Sequence, residues 1–165
     1  MRIAVGSDHR GVAMRAKLIE LLERLGHGVD DVGTNDTKCV DYPDIASQVA
    51  VKVSRQAVDR GILICGTGLG MCIAANKVAG VRAAPCHDEL TAELSRRHND
   101  LNVLCLPADV LGDSAVDRLI QVWLTTDFEG GRHARRLEKI TAIETGNGEV
   151  EEASLRDKSA GAEPV

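Results

Sequence analysis

Residues 61–77 read Gly-Ile-Leu-Ile-Cys-Gly-Thr-Gly-Leu-Gly-Met-Cys-Ile-Ala-Ala-Asn-Lys, and they are the most informative part of the sequence for function. Its first part, Ile62 to Ile64, is a short apolar run of the kind that forms a parallel strand buried on both faces. The glycines that follow allow the backbone to turn sharply and leave its N–H groups uncovered. From Met71 onward the residues are small or apolar, which predicts a helix that stops near Gly80.

Cys65 ends the predicted strand and faces the glycine loop. Bare N–H groups and a helix N-terminus would stabilise a thiolate there, and would also stabilise an oxyanion beside it. The stretch therefore predicts a nucleophile or base next to an anion hole. The alternative is that Cys65 is a small buried hydrophobic residue and that the glycines only permit a tight turn.

Length and composition predict one domain with an aliphatic core. The chain has 165 residues, of which 44% are hydrophobic but only 2% are aromatic. A net charge of −5 with no basic region argues against nucleic acid as a partner. No apolar run reaches membrane-spanning length and Met1 leads directly into a predicted strand, so we expect a soluble cytoplasmic protein with no membrane partner. The five cysteines are odd in number and lack C-x-x-C spacing, which favours reduced thiols.

The rest of the chain alternates predicted strands and helices. Short connections between them predict a Rossmann-like α/β fold, a three-layer α/β/α sandwich around a five-stranded parallel sheet. Arg132 to Thr145 predicts a C-terminal helix, so we expect one domain over 1–145. Residues 146–165 carry five acidic and two basic side chains, which predicts an acidic disordered tail. In the first helix, 3.6-residue spacing predicts an inward face of Val12, Ala16, Ile19, Leu22 and Leu25.

Polar side chains follow several predicted strands. Ligands of parallel sheets bind beyond the carboxyl ends of the strands, where Asp8, His9 and the Cys65 loop would lie. The loop before the fifth strand carries His98 and Asn99, and we expect these residues on the same rim. Cys86-His87-Asp88 also follows a strand but lacks a recognised ligand spacing, so no metal site is predicted.

Each remaining candidate has two interpretations. His9 and His98 lie in polar turns, where an imidazole could transfer protons or contact a phosphate. Asp8 could orient a sugar hydroxyl or cap the following helix, and Tyr42 could contact substrate or anchor a Pro-containing loop. Arg132 and Arg136 share one helix face and could bind a phosphate, or form a solvated surface paired with Glu138.

Five motifs occur in one order along the chain: Gly6-Ser7-Asp8-His9, Asp41-Tyr42-Pro43, Cys65-Gly66-Thr67-Gly68-Leu69-Gly70 with Ile73-Ala74-Ala75-Asn76-Lys77, Ser95-Arg96-Arg97-His98-Asn99-Asp100, and Glu129-Gly130-Gly131-Arg132-His133. Together they closely resemble the type B ribose-5-phosphate isomerases, in the family that includes the galactose-6-phosphate isomerase subunits. The resemblance runs from about Arg2 to Glu144.

The resemblance implies an aldose–ketose isomerase that acts on ribose 5-phosphate and ribulose 5-phosphate through a cis-enediolate. It implies that Cys65 is the base and His98 the acid that opens the furanose ring. Thr67 and the backbone of Gly66, Gly68, Leu69 and Gly70 would hold the enediolate oxygen. Asn99 and Asp8 would contact the hydroxyls, and His9, Arg132 and Arg136 the phosphate. Tyr42 is a further candidate for substrate binding. It also implies that there is no metal or other cofactor, and that a homodimer or homotetramer builds each site from two subunits, which would let His98 and Asn99 come from the partner.

One departure concerns the substrate. Many family members have a phosphate-contacting Arg shortly after the fifth strand, where this chain has Asp109. A carboxylate there would repel a phosphate unless it is turned away, so another sugar phosphate of four to six carbons is an alternative substrate.

A non-catalytic nucleotide-binding domain is the competing class of protein. The glycine loop and Asp88, about twenty residues past Gly68, support that class. However, the G-x-G-x-x-G pattern is not met, because Met71 and Ile73 stand where its last glycine would be.

Overall fold

The computed structural model describes residues 1–146, so the predicted tail lies outside the described residues from 147 onward. Five strands form the sheet: β1 Arg2–Ser7, β2 Gly28–Asp31, β3 Arg60–Cys65, β4 Ala83–Pro85 and β5 Val103–Pro107. Six helices accompany them: α1 Val12–Arg24, α2 Tyr42–Ser54, α3 Leu69–Ala75, α4 Glu89–Asn99, α5 Asp113–Thr125 and α6 Arg132–Glu144. None of the helices in this part of the chain is long and apolar enough to cross a membrane.

All five strands are parallel, in the order β2-β1-β3-β5-β4, which confirms the predicted sandwich. Helices α1, α4 and α5 cover one face of the sheet, and α2 and α3 cover the other. Helix α6 packs against α4. The five cysteines are all free, as predicted.

Strand β3 lies at the centre of the sheet and is buried on both faces. Ile62 and Ile64 belong to the α1/α5 core, whereas Leu63 and Cys65 belong to the α2/α3 core. Full burial of an Ile or Leu side chain stabilises the fold by about 1.5–3 kcal/mol, so these side chains anchor β3 between the two cores. Cys65 therefore lies at the end of a fully buried strand.

The predicted inward face of α1 is only partly right. Leu22 is buried as predicted, but Ala16 and Leu25 are exposed, and the helix also buries Met14, Leu18 and Leu21. Both sets have helical spacing, but the observed set hides larger side chains than Val12 and Ala16, and greater apolar area favours that rotation.

Candidate active site

The carboxyl ends of the neighbouring strands β1, β3 and β5 surround Cys65. Its side chain is only 6% exposed, and the Gly68 N–H donates to its Sγ at 3.2 Å. Gly68 has a φ of 76°, in the left-handed region that a glycine adopts without strain, so the backbone can turn from the loop into α3 at this residue. An N–H donor at this distance stabilises negative charge on sulfur, as a thiolate base requires.

The glycine loop also presents open backbone donors. The N–H of Leu69 is directed at Thr67 Oγ1, at 3.4 Å. By contrast, the N–H groups of Gly66, Thr67, Gly70 and Met71 have no acceptor within residues 1–146. One N–H of the loop is therefore engaged with the sulfur, and four others have no partner among the described residues.

Tyr42 covers the far end of this loop. It is the first residue of α2 rather than a loop residue, and Pro43 follows it at a position that suits a helix start. A Cβ placed on Gly70 would lie 2.7 Å from two Tyr42 ring carbons, so Gly70 must lack a side chain for the ring to lie there. Tyr42 is 41% exposed and borders the space above the loop.

Asp8 and His9 lie in the turn after β1. Asp8 is buried and its Oδ1 accepts the Arg10 N–H at 2.9 Å, while its own N–H donates to Ile64 O on β3. Asp8 does not cap α1, whose N-cap is Gly11. His9 Nδ1 accepts the Val40 N–H at 3.3 Å, which places the proton of a neutral ring on Nε2, free to donate to a ligand.

Arg10 and Asp109 form an ion pair that the sequence interpretation missed. Arg10 Nε and Nη2 donate to Asp109 Oδ2 at 2.9 and 2.6 Å, joining the turns after β1 and β5. This hydrogen bond raises the pKa of Arg10 above its ordinary value. The Asp109 carboxylate is thus directed at a guanidinium and its charge is neutralised. Opposite charges in the turns after two strands of one sheet are the only sequence signal for such a pair.

His98 and Asn99 lie near the amino ends of the strands, whereas Cys65 lies at the carboxyl ends, so the expectation of a single rim is wrong. They form the last turn of α4, which precedes β5, and a segment that precedes a parallel strand reaches its amino end. Cys65 pairs with Pro107 at the other end of β5. The four residue steps of β5 span about 13 Å at ~3.3 Å each, which separates His98 from Cys65 within one chain.

His98 belongs to a cluster with Glu129 and His133 that sequence reasoning quoted only as motif residues. The two imidazole rings stack with centroids 4.2 Å apart and planes 2° from parallel. Glu129 Oε2 lies 3.9 Å from His98 Nε2 and 3.6 Å from His133 Nε2. Hydrogen bonding from Arg97 lowers the pKa of Glu129, and burial followed by the charge of His98 lowers the pKa of His133.

The His98–Glu129–His133 cluster is the one group within residues 1–146 whose possible metal-ligating atoms lie within 4.8 Å of one another. Stacked parallel imidazoles direct their nitrogen lone pairs side by side instead of toward one point, so this arrangement does not suit a metal ion. The Cys86 segment forms no such group, because Asp88 caps α4 by accepting the Thr91 N–H at 2.7 Å.

Arg132 and Arg136 lie in the first turns of α6, close to the histidine cluster. Both are exposed, and Arg132 Nε contacts His133 Nε2 at 3.3 Å. Over the described residues, no ion pair joins either arginine to Glu138, contrary to the alternative of a paired surface. We call Arg132, Arg136, His98 and Asn99, which lie near the amino ends of the strands, the amino-edge half-site. The residues near the carboxyl ends are called the carboxyl-edge half-site: Asp8, His9, Tyr42 and the Cys65 loop.

Three comparisons relate this geometry to known proteins. Residues 3–140 match the model of the Ribose/Galactose Isomerase family. Ribose-5-phosphate isomerase B of Escherichia coli is 48% identical over 143 residues, which cover 87% of this chain and 96% of that protein.

Two solved structures give the same result. Ribose-5-phosphate isomerase B of Clostridium thermocellum has a TM-score of 0.87 and 46% identity, over 88% of this chain and 99% of that one. The corresponding Mycoplasma genitalium structure, with bound ribulose 5-phosphate, has a TM-score of 0.84 and 45% identity, over 87% and 96% of the two chains. The resemblance inferred from the motifs is confirmed: this chain belongs to the Ribose/Galactose Isomerase family.

Proposed function

We propose that this protein interconverts ribose 5-phosphate and ribulose 5-phosphate, with Cys65 as the base and no metal or other cofactor. The observation that carries the proposal is Cys65 Sγ beneath the Gly68 N–H at 3.2 Å, among open backbone donors at the carboxyl edge of the sheet. Relatives that are 45–48% identical over most of their length are named for this reaction, and one of them holds ribulose 5-phosphate.

The proton transfer follows from the geometry of the loop. The Cys65 thiolate removes the proton from C2 of the open-chain aldose, and the electron pair moves through C1 to leave a cis-enediolate with charge on O1. The proton then returns from the Cys65 thiol to C1, the hydroxyl proton of O2 passes in net to O1, and the C2 carbonyl and C1 hydroxyl of the ketose form. An N–H positioned for an oxyanion is worth about 10²–10³-fold in rate.

The oxyanion donors are the free backbone N–H groups of Gly66, Thr67, Gly70 and Met71, since Gly68 and Leu69 are already engaged. Thr67 Oγ1 accepts from Leu69, so its own hydroxyl hydrogen is available to the sugar. Asp8 and Tyr42 border the same space and would contact the hydroxyls, while His9 would donate Nε2–H to the phosphate.

A second copy of the chain completes the site in this proposal. His98 cannot reach a sugar held at Cys65 of its own chain, because about 13 Å of β5 lies between the two edges. A two-fold dimer would bring the amino-edge half-site of each subunit to the carboxyl-edge half-site of the other, forming two equal sites. His98 then opens the ring, Asn99 contacts a hydroxyl, and Arg132 and Arg136 bind the phosphate. Residues 1–145 form the isomerase domain and 146–165 an appended tail.

Solvent-deuterium wash-in tests the chemistry. The protein is incubated in D₂O with four-, five- and six-carbon aldose and ketose phosphates, and exchange at C1 and C2 is followed by NMR. Exchange with ribose 5-phosphate and ribulose 5-phosphate is expected. Exchange confined to another sugar phosphate would replace the substrate, and no exchange with any of them would remove the isomerase proposal.

Subunit complementation tests the shared site. Cys65→Ser and His98→Asn each inactivate one half-site, so each homo-oligomer should be inactive. Random reassembly of equal amounts should restore about a quarter of wild-type activity, because half of the dimers carry one intact site of two. Joining both substitutions in one chain and mixing it with an inactive single variant is the matched control, which should recover nothing. No recovery from the two single variants, once exchange of subunits is shown, would contradict the shared site.

A further inference from the structure

The Arg10–Asp109 ion pair lies directly against the catalytic loop. A Cβ on Gly66 would lie 2.6 Å from Asp109 Oδ2 and 2.9 Å from Arg10 Nε, so the pair covers the Cα next to Cys65. The turns that carry it follow β1 and β5, the two neighbours of β3 in the sheet. The pair therefore crosses the carboxyl-edge half-site from one side to the other.

Backbone hydrogen bonds hold both partners in place. The Asp109 N–H donates to Gly66 O at 3.1 Å, and the adjacent Ala108 N–H donates to Cys65 O at 2.8 Å. On the other side, the Arg10 N–H donates to Asp8 Oδ1 at 2.9 Å. An ordinary surface ion pair contributes little because its long side chains must be ordered, but here the backbone of the turn that carries Asp109 is already fixed to the loop.

The pair leaves part of the guanidinium unused. Asp109 Oδ2 accepts from Nε and Nη2, whereas Nη1 has no acceptor within residues 1–146, and the Arg10 side chain is 56% exposed. In the three turns that meet around Cys65 (8–11, 66–68 and 108–112), Arg10 is the only Lys or Arg. An exposed, oriented guanidinium edge suits a phosphate oxyanion.

We propose that Arg10 binds the phosphate of the sugar phosphate and that Asp109 is its positioning residue. The proposal rests on the proposed function and names a specificity determinant for it. Asp109 holds the guanidinium over the loop through Nε and Nη2, and the Nη1 edge donates to phosphate oxygens. The neutralised carboxylate then no longer repels the substrate. Asp109 is compatible with phosphate binding because Arg10, in the turn after β1, supplies the positive charge that neutralises its carboxylate.

Kinetics and phosphate binding together test the proposal. Arg10→Ala, Arg10→Lys and Asp109→Asn are compared with wild type for kcat and KM with ribose 5-phosphate. Binding of inorganic phosphate, which needs no turnover, is measured by ³¹P NMR titration. Arg118→Ala is the matched control, because Arg118 also forms an exposed ion pair through Nε, with Glu89, but lies on α5 away from the loop.

Loss of a hydrogen bond to a charged group should raise KM about 10- to 100-fold in Arg10→Ala and weaken phosphate binding by the same factor, with kcat changed only a few-fold. Arg10→Lys should keep part of the affinity, and Arg118→Ala all of it. Asp109→Asn should weaken phosphate binding less than Arg10→Ala does. In the Arg10→Ala background it should instead restore part of the affinity, because it removes a carboxylate that Arg10 no longer neutralises.

Unchanged KM and phosphate affinity in Arg10→Ala would overturn the proposal, as would a fall in kcat at constant KM. Undetectable binding of inorganic phosphate to the wild-type protein would overturn it as well. Failure of the proposed function would be distinct, since wild type would then bind phosphate in an Arg10-dependent way but exchange deuterium into no sugar.

Discussion

Replacing Cys65 by Ser and by Ala should separate catalysis from stability. Both variants lack the proposed base, so isomerisation should fall by at least 10²–10⁴-fold, which corresponds to about 2.7–5.4 kcal/mol in activation free energy. The stability effects should differ. Cys65→Ala removes a sulfur that is 6% exposed, worth about 0.8 kcal/mol of burial, and leaves the buried Gly68 N–H without its acceptor, which costs about 1–3 kcal/mol.

The Ala variant should therefore lose about 2–4 kcal/mol of unfolding free energy. Cys65→Ser keeps an oxygen acceptor for the Gly68 N–H, so it should lose less stability and still be inactive, because a serine hydroxyl does not ionise as a thiol does. Urea unfolding gives the stability, and deuterium wash-in with ribose 5-phosphate gives the rate. Retention of more than about a tenth of wild-type exchange in Cys65→Ser would refute the assignment of the base.

Three further substitutions test the surroundings of the site. Gly70→Ala places a Cβ 2.7 Å from the Tyr42 ring, so the ring must move off the loop and kcat/KM should fall about 100-fold with little loss of stability. Adding Tyr42→Ala should remove the clash. Normal kcat/KM in Gly70→Ala alone would contradict the packing. The fold lowers the pKa of His133, so the unfolded chain binds more protons below about pH 6.5 and the free energy of unfolding should decrease from pH 7.5 to 5.5. In urea titrations, His133→Asn should make the free energy of unfolding less dependent on pH. Asn76 pairs with both the N–H and the C=O of Ala83, at 2.9 and 2.8 Å, so Asn76→Ala should cost about 1–3 kcal/mol in the same assay, and a loss under 0.5 kcal/mol would show that water replaces both bonds.

The strands and the glycine loop after β3 were predictable because their signals are local. An apolar run, a cysteine and spaced glycines specify a buried strand, a turn and a helix start whatever the rest of the chain does. The rotation of α1 was not predictable in this way, since two sets of apolar residues have helical spacing. Only the packed structure shows that burying Leu18 and Leu21 instead of Ala16 hides more apolar area.

The placement of His98 and Asn99 was wrong for a topological reason. Their polar neighbours suggest a loop at the site, but the segment that leads into a parallel strand lies at the opposite edge from the segment that leaves one. Helix α4 continues through Asn99, so His98 is carried to the amino edge by a regular element. The sheet order determines which strand ends are neighbours, and it is a long-range property that no short motif contains.

The Arg10–Asp109 ion pair was not predictable for a similar reason, because it also depends on the order of the strands. Each residue alone predicts the wrong electrostatics, a surplus cation after β1 and a repulsive acid after β5. The two are 99 positions apart and meet only because β1 and β5 flank β3. Their charges cancel over Gly66, and one guanidinium edge remains exposed. A departure from a family pattern at one position therefore has to be weighed together with the turns that the sheet brings beside it, because a neighbouring turn can neutralise a charge that would be repulsive on its own.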